Sequence, residues 1–522
     1  MSNQFDTTAD MSERKALLAL FFLIFAVILL RTAWLGDDAY ITMRSVDNWV
    51  NGYGLTWNPG ERVQTFTHPL WMLLLSGLYA LSKNAYFSLL GLSLLASLAL
   101  MAVFLSSVSR NLPALAWGWL LLVFSHAFLD YSTSGLENPL SHLLALVFAL
   151  VFLGRIPLPA IWRTFALSLL AGLAVLNRMD TLLLYLPALA LVFWQDKTRR
   201  TFAQLTAGFL PFALWSLFAL FYYGFIFPNT YYAKLNTAIP KMTLLHQGLV
   251  YYLNELLFDP LTLVIIVCGL GAAFLWGEAR QRAIGLGMIF YLGYILYIGG
   301  DLMSGRFFSV VFLLSVALLL PYFEQFSWQG KSLAALAVLF LGVMAPSPAF
   351  LPPSSLDLET ANRSGISDER AFYYSASGLL RWGRYHKLPE HEWVSEGIAL
   401  REQGPQVYLG KGIGYLGFYA GPQVHVIDYF ALADPLLSRL PVQPGIKWDI
   451  GHIRREIPAG YLETLESGQN QIADPNLAAY YDKLAIITRA SLWDVERLKT
   501  IFEFHTGQYD ALLKAYLREK GQ

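Results

Sequence analysis

Asp37 and Asp38 stand side by side in GDDAYITMR (36–44), directly after the first strongly apolar stretch of the chain. A carboxylate beside a partly dry pocket makes a general base, because burial raises its affinity for the proton of a nearby hydroxyl. Two adjacent acids cannot point the same way on one helix or strand. One is free to face a cavity while the other caps the next helix through a backbone N–H. The other reading is a pair of solvated interfacial acids, one of them an N-cap. Arg44 closes this motif. His68, just ahead of Pro69, suits a phosphate or sugar hydroxyl as well as it suits a helix cap or a packing role.

Further along, Glu137 (SGLENP), Arg178 and Asp180 (NRMD), Asn229 and Lys234 (PNTYYAK), and Asp301 and Arg306 (GGDLMSGR) each flank an apolar stretch. Three cations there suit an anionic ligand. Arginine gives bidentate contacts to phosphate and lysine acts as a point charge. Each residue is equally readable as an interfacial anchor, and Arg178–Asp180 and Asp301–Arg306 as pairs that neutralise one another.

The elements that must position these residues follow from composition. Of 522 residues 56% are hydrophobic, 15% aromatic and only 14% charged, against about 25% charged in soluble domains. Apolar stretches recur near 16–35, 69–82, 86–106, 113–128, 139–153, 160–176, 181–194, 203–225, 257–277, 283–299, 307–325 and 331–349. Runs of about 18 or more such residues read as membrane spans. From about Ser354 onward charges, Gly and Pro become frequent and the apolar stretches stop. The expected architecture is an α-helical polytopic membrane domain over 1–351 and a soluble α/β or α+β domain over 352–522.

Arg14 and Lys15, QDKTRR (195–200), GEARQR (277–282) and QGK (329–331) are the basic loops, and these belong on the cytoplasmic side. NRMD, FPNTYYAKLN, GGDLMSGR, loop 36–68 and the C-terminal domain then face outside. An inside N-terminus with an outside C-terminus needs an odd number of crossings. One of the weak segments between 69 and 106 is therefore expected not to cross, or the two to make one irregular passage, which leaves about eleven spans. The N-terminal apolar run is too long for a cleavable signal and is read as a retained span.

Several functions are excluded. Zero net charge gives nothing for nucleic acid to bind. A single cysteine, Cys268, rules out a disulfide within the chain and is read as a small buried hydrophobe. GIGYLG (412–417) fits G-x-G-x-x-G, with Asp428 ending a second candidate strand, but the intervening helix has room for only about ten residues. A small β-α-β element with structural glycines is the better reading. No P-loop, nucleophile elbow or HExxH helix occurs.

An acidic pair after the first span, in an outward loop, resembles the GT-C glycosyltransferases. DDAYITMR, NGYGLTWNPGERVQTFTHPLW, SGLENPL, PNTYYAK, GGDLMSGRF, DYFALADPLLSRLP and GHIRREIPAGY are similar, in the same order, to blocks of AftB-like terminal arabinofuranosyltransferases. The resemblance implies a GT-C-like membrane domain. It implies transfer of arabinofuranose from a decaprenyl-phosphate-type (polyprenyl-phosphate) donor to a glycan or glycoprotein acceptor outside the bacterial cytoplasmic (inner) membrane, on its periplasmic face. Asp37 or Asp38 would be the base of an inverting displacement. Arg44, His68, Glu137, Arg178, Asp180, Asn229, Lys234, Asp301 and Arg306 are the candidates for donor or substrate binding. A divalent cation at Asp37 and Asp38 is compatible with their oxygen donors. The rival readings are a lipid-sugar transporter or flippase, a GT-C enzyme using another polyprenyl-phosphate sugar, and a non-catalytic assembly or sensor protein.

Overall fold

The computed structural model describes residues 2–353, 362–383, 388–443, 445 and 448–520. The composition change expected at Ser354 lies outside the described residues. The chain divides into two compact units, each assembled from three segments. The first comprises Met1–Gly36, Tyr86–Phe212 and Lys241–Pro389, and the second Asp37–Ala85, Ala213–Pro240 and Glu390–Gln522. The second unit thus gathers the acidic motif and PNTYYAK together with the C-terminal part of the chain.

Every apolar stretch of the sequence carries a helix over most of its length. Among the described residues four helices are long and apolar enough to cross a membrane: Ser12–Thr32, Ala85–Ser107, Ala160–Asn177 and Ala279–Ile298. The number rises to six if each of two bent pairs, 199–223 and 241–275, is one span. Helix length therefore accounts for four to six crossings against the eleven expected. A helix such as Leu112–Phe124, with 13 residues, rises only about 20 Å, short of a hydrocarbon core of about 30 Å. Of the two segments between 69 and 106, Ala85–Ser107 reaches 23 residues and Pro69–Ser82 stops at 14. The chain is a multi-pass membrane protein.

In the first unit small residues bring helix backbones together, as is usual where lipid removes the hydrophobic drive. A Cβ on Gly287 would lie 2.2 Å from the Leu184 carbonyl oxygen, and one on Gly269 2.6 Å from Ser315 Cβ. Lys241–Phe258 and Pro260–Leu275 meet at a 109° bend, where Asp259 caps the second helix through Thr262 N at 3.3 Å. Cys268 is exposed rather than buried. It sits on this apolar helix, where a side chain facing lipid needs no protein neighbour.

In the second unit Gln406–Gly410 and Val424–Asp428 form a parallel pair, Gln406 opposite Val424 and Gly410 opposite Asp428. The eight-residue helix Ile413–Ala420 connects them. This is the compact β-α-β unit that GIGYLG suggests, too short for a dinucleotide crossover. One apolar cluster joins Ile41 and Trp57 to Ile413, Leu416 and Val426. A second collects Ile427, Leu437, Tyr461 and Leu484.

Candidate active site

The acidic pair opens the helix Asp37–Val50, and the two acids have different surroundings. Asp37 is buried. Its Oδ2 accepts from Gly414 N at 2.9 Å and its Oδ1 from Tyr415 N at 2.6 Å. Both donors lie in the first turn of Ile413–Ala420, where N–H groups lack intrahelical partners and the helix dipole favours a negative charge. Gly414 makes this approach possible, since a Cβ there would sit 1.8 Å from the Asp37 carbonyl oxygen. Burial holds the Asp37 carboxyl up at about 7; Asp38 and Asp428 push the same way, while the Tyr415 and Gly414 N–H groups pull it down. Asp38 is half-buried and makes no hydrogen bond or ion pair among the described residues. Its carboxylate is therefore open to a substrate hydroxyl, while that of Asp37 is occupied. One acid of the pair does take a helix start, but on a helix 377 residues further on rather than the next one.

Asp428 ends its strand near the same charges. Its oxygens accept from Phe430 N at 2.9 Å and Leu432 N at 2.6 Å, and burial lifts it to about 6. Tyr40, three residues after Asp37, packs its ring against Tyr415 at 4.8 Å and Phe418 at 5.4 Å. Sequence reasoning did not place Gly414, Tyr415 or Asp428 at the site. The available signal was Gly414 and Gly417, three apart on one helix face. A Cβ on Gly417 would meet Trp57 at 2.7 Å.

Three further candidates of this unit are held by the protein itself. Arg44 donates from Nε to Trp57 O at 2.7 Å and from Nη2 to Val424 O at 2.7 Å and Asn58 Oδ1 at 3.1 Å. It also donates from Nη1 to Gly417 O, and its guanidinium lies 4.5 Å over the Trp57 ring. It acts as a strut between the acidic helix and the β-α-β unit. Asn229 Nδ2 donates to the carbonyls of Ala431, Leu432 and Asp434 at 3.0, 3.1 and 3.0 Å, and its Oδ1 accepts from Ser438 Oγ at 3.0 Å. It clips the DYFALADPLLSRLP loop. His68 is buried, with Nε2 2.8 Å from Thr42 Oγ1. Lys234 is exposed and makes no ion pair among the described residues.

The remaining candidates converge in the first unit around Glu137, which is buried at the start of Asn138–Phe152. Arg178, at the end of Ala160–Asn177, donates to Glu137 Oε1 at 2.9 Å. It also grips Asp180 with two arms, Nε to Oδ1 at 2.8 Å and Nη2 to Oδ2 at 3.0 Å. Arg306 reaches Glu137 Oε1 at 3.0 Å and Asp301 Oδ2 at 3.4 Å. The Arg178 guanidinium lies 4.3 Å over the Phe307 ring. The loop carrying Asp301 and Arg306 is pinned by Ser304 N to Ser367 O at 2.9 Å and Ser367 N to Leu302 O at 2.7 Å. Tyr131 Oη donates to Ser304 O at 2.9 Å. Five residues from three chain segments thus form one network of two guanidiniums and three carboxylates. The pairings Arg178–Asp180 and Asp301–Arg306 read in the sequence are both present, with Glu137 bridging them.

The donor set does not fit a resident divalent cation. Both Asp37 oxygens face N–H hydrogens, and Asp38 adds one carboxylate. Among the described residues no group of three or more His, Cys, Asp or Glu is placed to hold a metal.

No family model matches the chain. The terminal β-(1→2)-arabinofuranosyltransferase of Mycobacterium tuberculosis strain H37Rv is 31% identical over 500 residues, covering 78% of each protein. The chain belongs to the terminal arabinofuranosyltransferase family. It is a glycosyltransferase, and the transporter and non-catalytic readings fall away. Two solved structures are also similar. The crystal structure of ArnT from Cupriavidus metallidurans bound to undecaprenyl phosphate is 13% identical with a TM-score of 0.47, covering 82% of this chain and 89% of that one. Its apo form is 14% identical with a TM-score of 0.42, covering 82% and 76%.

Proposed function

We propose that this glycosyltransferase moves arabinofuranose from a polyprenyl-phosphate donor of the GT-C type to a glycan or glycoprotein acceptor outside the cytoplasmic membrane. Asp38 is the general base. The observation that carries this assignment is the contrast within the pair: Asp37 is tied by Gly414 N and Tyr415 N, while Asp38 is half-buried and has no hydrogen-bond or ion-pair partner among the described residues. Asp37 then positions Asp38 by fixing the start of its helix. Asp38 accepts the proton of the acceptor hydroxyl as the oxygen attacks the anomeric carbon and the C–O bond to phosphate breaks. The electron pair of that bond leaves with the phosphate.

Arg178 and Arg306, held by Glu137, are the residues proposed to receive the leaving phosphate. Two guanidiniums face three carboxylates, a formal charge of −1, so phosphate recognition works by exchange. The donor phosphate replaces Asp180 or Asp301 on an arginine fork. Preorganised donors at a developing anion are worth several kcal/mol in comparable sites. The membrane part, 1–351, carries this chemistry on the outer face, and 352–522 supplies an extracytoplasmic domain for the acceptor. The relative's β-(1→2) product supports arabinofuranose as the sugar.

The test is a transfer assay with purified protein in lipid and a panel of polyprenyl-phosphate sugars. Turnover of the arabinofuranosyl lipid alone supports the reading, and turnover of only a hexosyl lipid overturns the sugar. The product anomer adds a second readout. A single displacement inverts the donor's configuration, and retention overturns the one-base mechanism.

A further inference from the structure

The helices that carry the Glu137 network have a second cluster of charge at their other ends. Asn138–Phe152 starts next to Glu137 and ends just before Gly154 and Arg155. Ala160–Asn177 has Arg163 in its first turn and Arg178 at its close. Ala279–Ile298 opens with Arg280 and runs toward Asp301. Phe308–Phe323 follows Arg306 and ends beyond Pro321. At 1.5 Å per residue these helices separate the two clusters by roughly 20–30 Å.

At the far end lies a cavity of about 460 Å³, lined by Leu150, Arg155, Gln195, Arg280 and Leu318 among others. Arg155 and Arg280 make no ion pair among the described residues. Glu278, the one carboxylate in the lining, is engaged in the capping box of Ala279–Ile298, where it accepts from Gln281 N. Arg163 donates from Nη2 to Val151 O and Phe152 O at 3.2 and 2.9 Å. A Cβ on Gly154 would lie 3.7 Å from Arg280 Nη1 and 4.0 Å from Arg163 Nη2. Guanidiniums therefore converge here, and among the described residues none of them makes an ion pair, whereas at the opposite end Arg178 and Arg306 both do. Val108, Leu153 and Ala317 add apolar wall.

Charge and wall together match one kind of ligand, an amphiphile with an anionic phosphate head. We propose that this cavity binds the phosphate headgroup of an anionic phospholipid from the adjacent leaflet, between Arg155 and Arg280, with its acyl chain along Leu150 and Leu318. Basic pockets between membrane helices recognise phospholipid heads by this combination. The site is separate from the donor chemistry and holds whether or not that reading does.

Native mass spectrometry of the full chain in neutral detergent tests it, with phosphatidylglycerol, phosphatidylcholine or inorganic phosphate added. Arg155→Gln/Arg280→Gln is compared with wild type and with Arg199→Gln/Arg200→Gln, which removes the same charge from exposed positions elsewhere. Wild type and the control should each retain one phosphatidylglycerol. The Arg155/Arg280 variant should retain at least tenfold less at an unchanged melting temperature in lipid-free detergent. Equal retention by the Arg155/Arg280 variant overturns the proposal, and so does equal loss in the control. Displacement of the lipid by inorganic phosphate overturns the lipid assignment. If the double variant fails to fold, Arg280→Lys alone, which keeps the charge but not the fork, gives the same comparison.

Discussion

Replacing Asp37 with Asn removes a charge without changing shape, and its effect on stability depends on pH. Burial holds the Asp37 carboxyl at about 7 against an ordinary 3.8. The folded chain thus keeps a proton that the unfolded chain releases above about pH 4. Between these limits the native state binds more protons than the unfolded state, so stability falls as pH rises, until the loss is complete above about 7. Between pH 5 and pH 8 the change amounts to about two pH units, or about 3 kcal/mol. The Asn amide has no such dependence. It turns an NH2 toward either Gly414 N or Tyr415 N, at a constant cost of about 1–3 kcal/mol for an unpaired buried donor. Wild type is therefore expected to gain about 3 kcal/mol on Asp37→Asn as pH falls from 8 to 5, and to have little or no advantage at pH 8. Unfolding of both proteins in the same detergent across this range measures it, since other titrating groups cancel in the difference. A difference that is flat with pH, or that grows in favour of wild type toward alkaline pH, refutes the reasoning. It would mean that the two N–H groups outweigh burial.

Three other substitutions probe the scaffold and the arginine network. Gly414→Ala places a methyl 1.8 Å from the Asp37 carbonyl oxygen and 2.8 Å from its Cγ. It should cost about 3 kcal/mol in unfolding free energy, with a transfer rate below that of an equally destabilised variant elsewhere. Asn229→Ala leaves the carbonyls of Ala431, Leu432 and Asp434 without their shared donor and should cost about 2–3 kcal/mol by the unfolding midpoint. Arg178→Lys keeps the charge but loses the fork on Asp180. It should raise the donor KM about tenfold with a smaller change in kcat, and an unchanged KM would remove Arg178 from donor binding.

The sequence made some of this legible and hid the rest for physical reasons. Apolar runs marked most of the apolar helices, because lipid imposes continuous hydrophobicity, but not Lys241–Phe258, whose polar residues interrupt the run. Their breaks and ends were less legible: the run 113–128 is interrupted at Ser125, between the helices Leu112–Phe124 and His126–Asp130. That one acid of the pair would take a helix start followed from geometry at two adjacent positions. Which acid, and which helix, depended on Gly414 and Tyr415, whose approach no local pattern encodes. Arg44 and Asn229 looked like ligand contacts because both are polar residues in aromatic, glycine-rich or proline-rich loops. Both are buried ties to backbone carbonyls, a role that depends on distant chain and leaves no spacing signal. The Glu137 bridge was half visible: the short-range pairs Arg178–Asp180 and Asp301–Arg306 could be read, but the carboxylate joining them comes from another helix.

The measurement closest to the central claim is the single-turnover rate of Asp38→Asn against Asp37→Asn, with donor binding scored on the same samples. If Asp38 is the base, its variant loses about 10²–10⁴-fold in rate with donor affinity unchanged, and Asp37→Asn, still folded, loses much less. A competent Asp38→Asn enzyme, or an Asp37→Asn protein that binds donor and stays folded yet cannot transfer, would contradict the assignment.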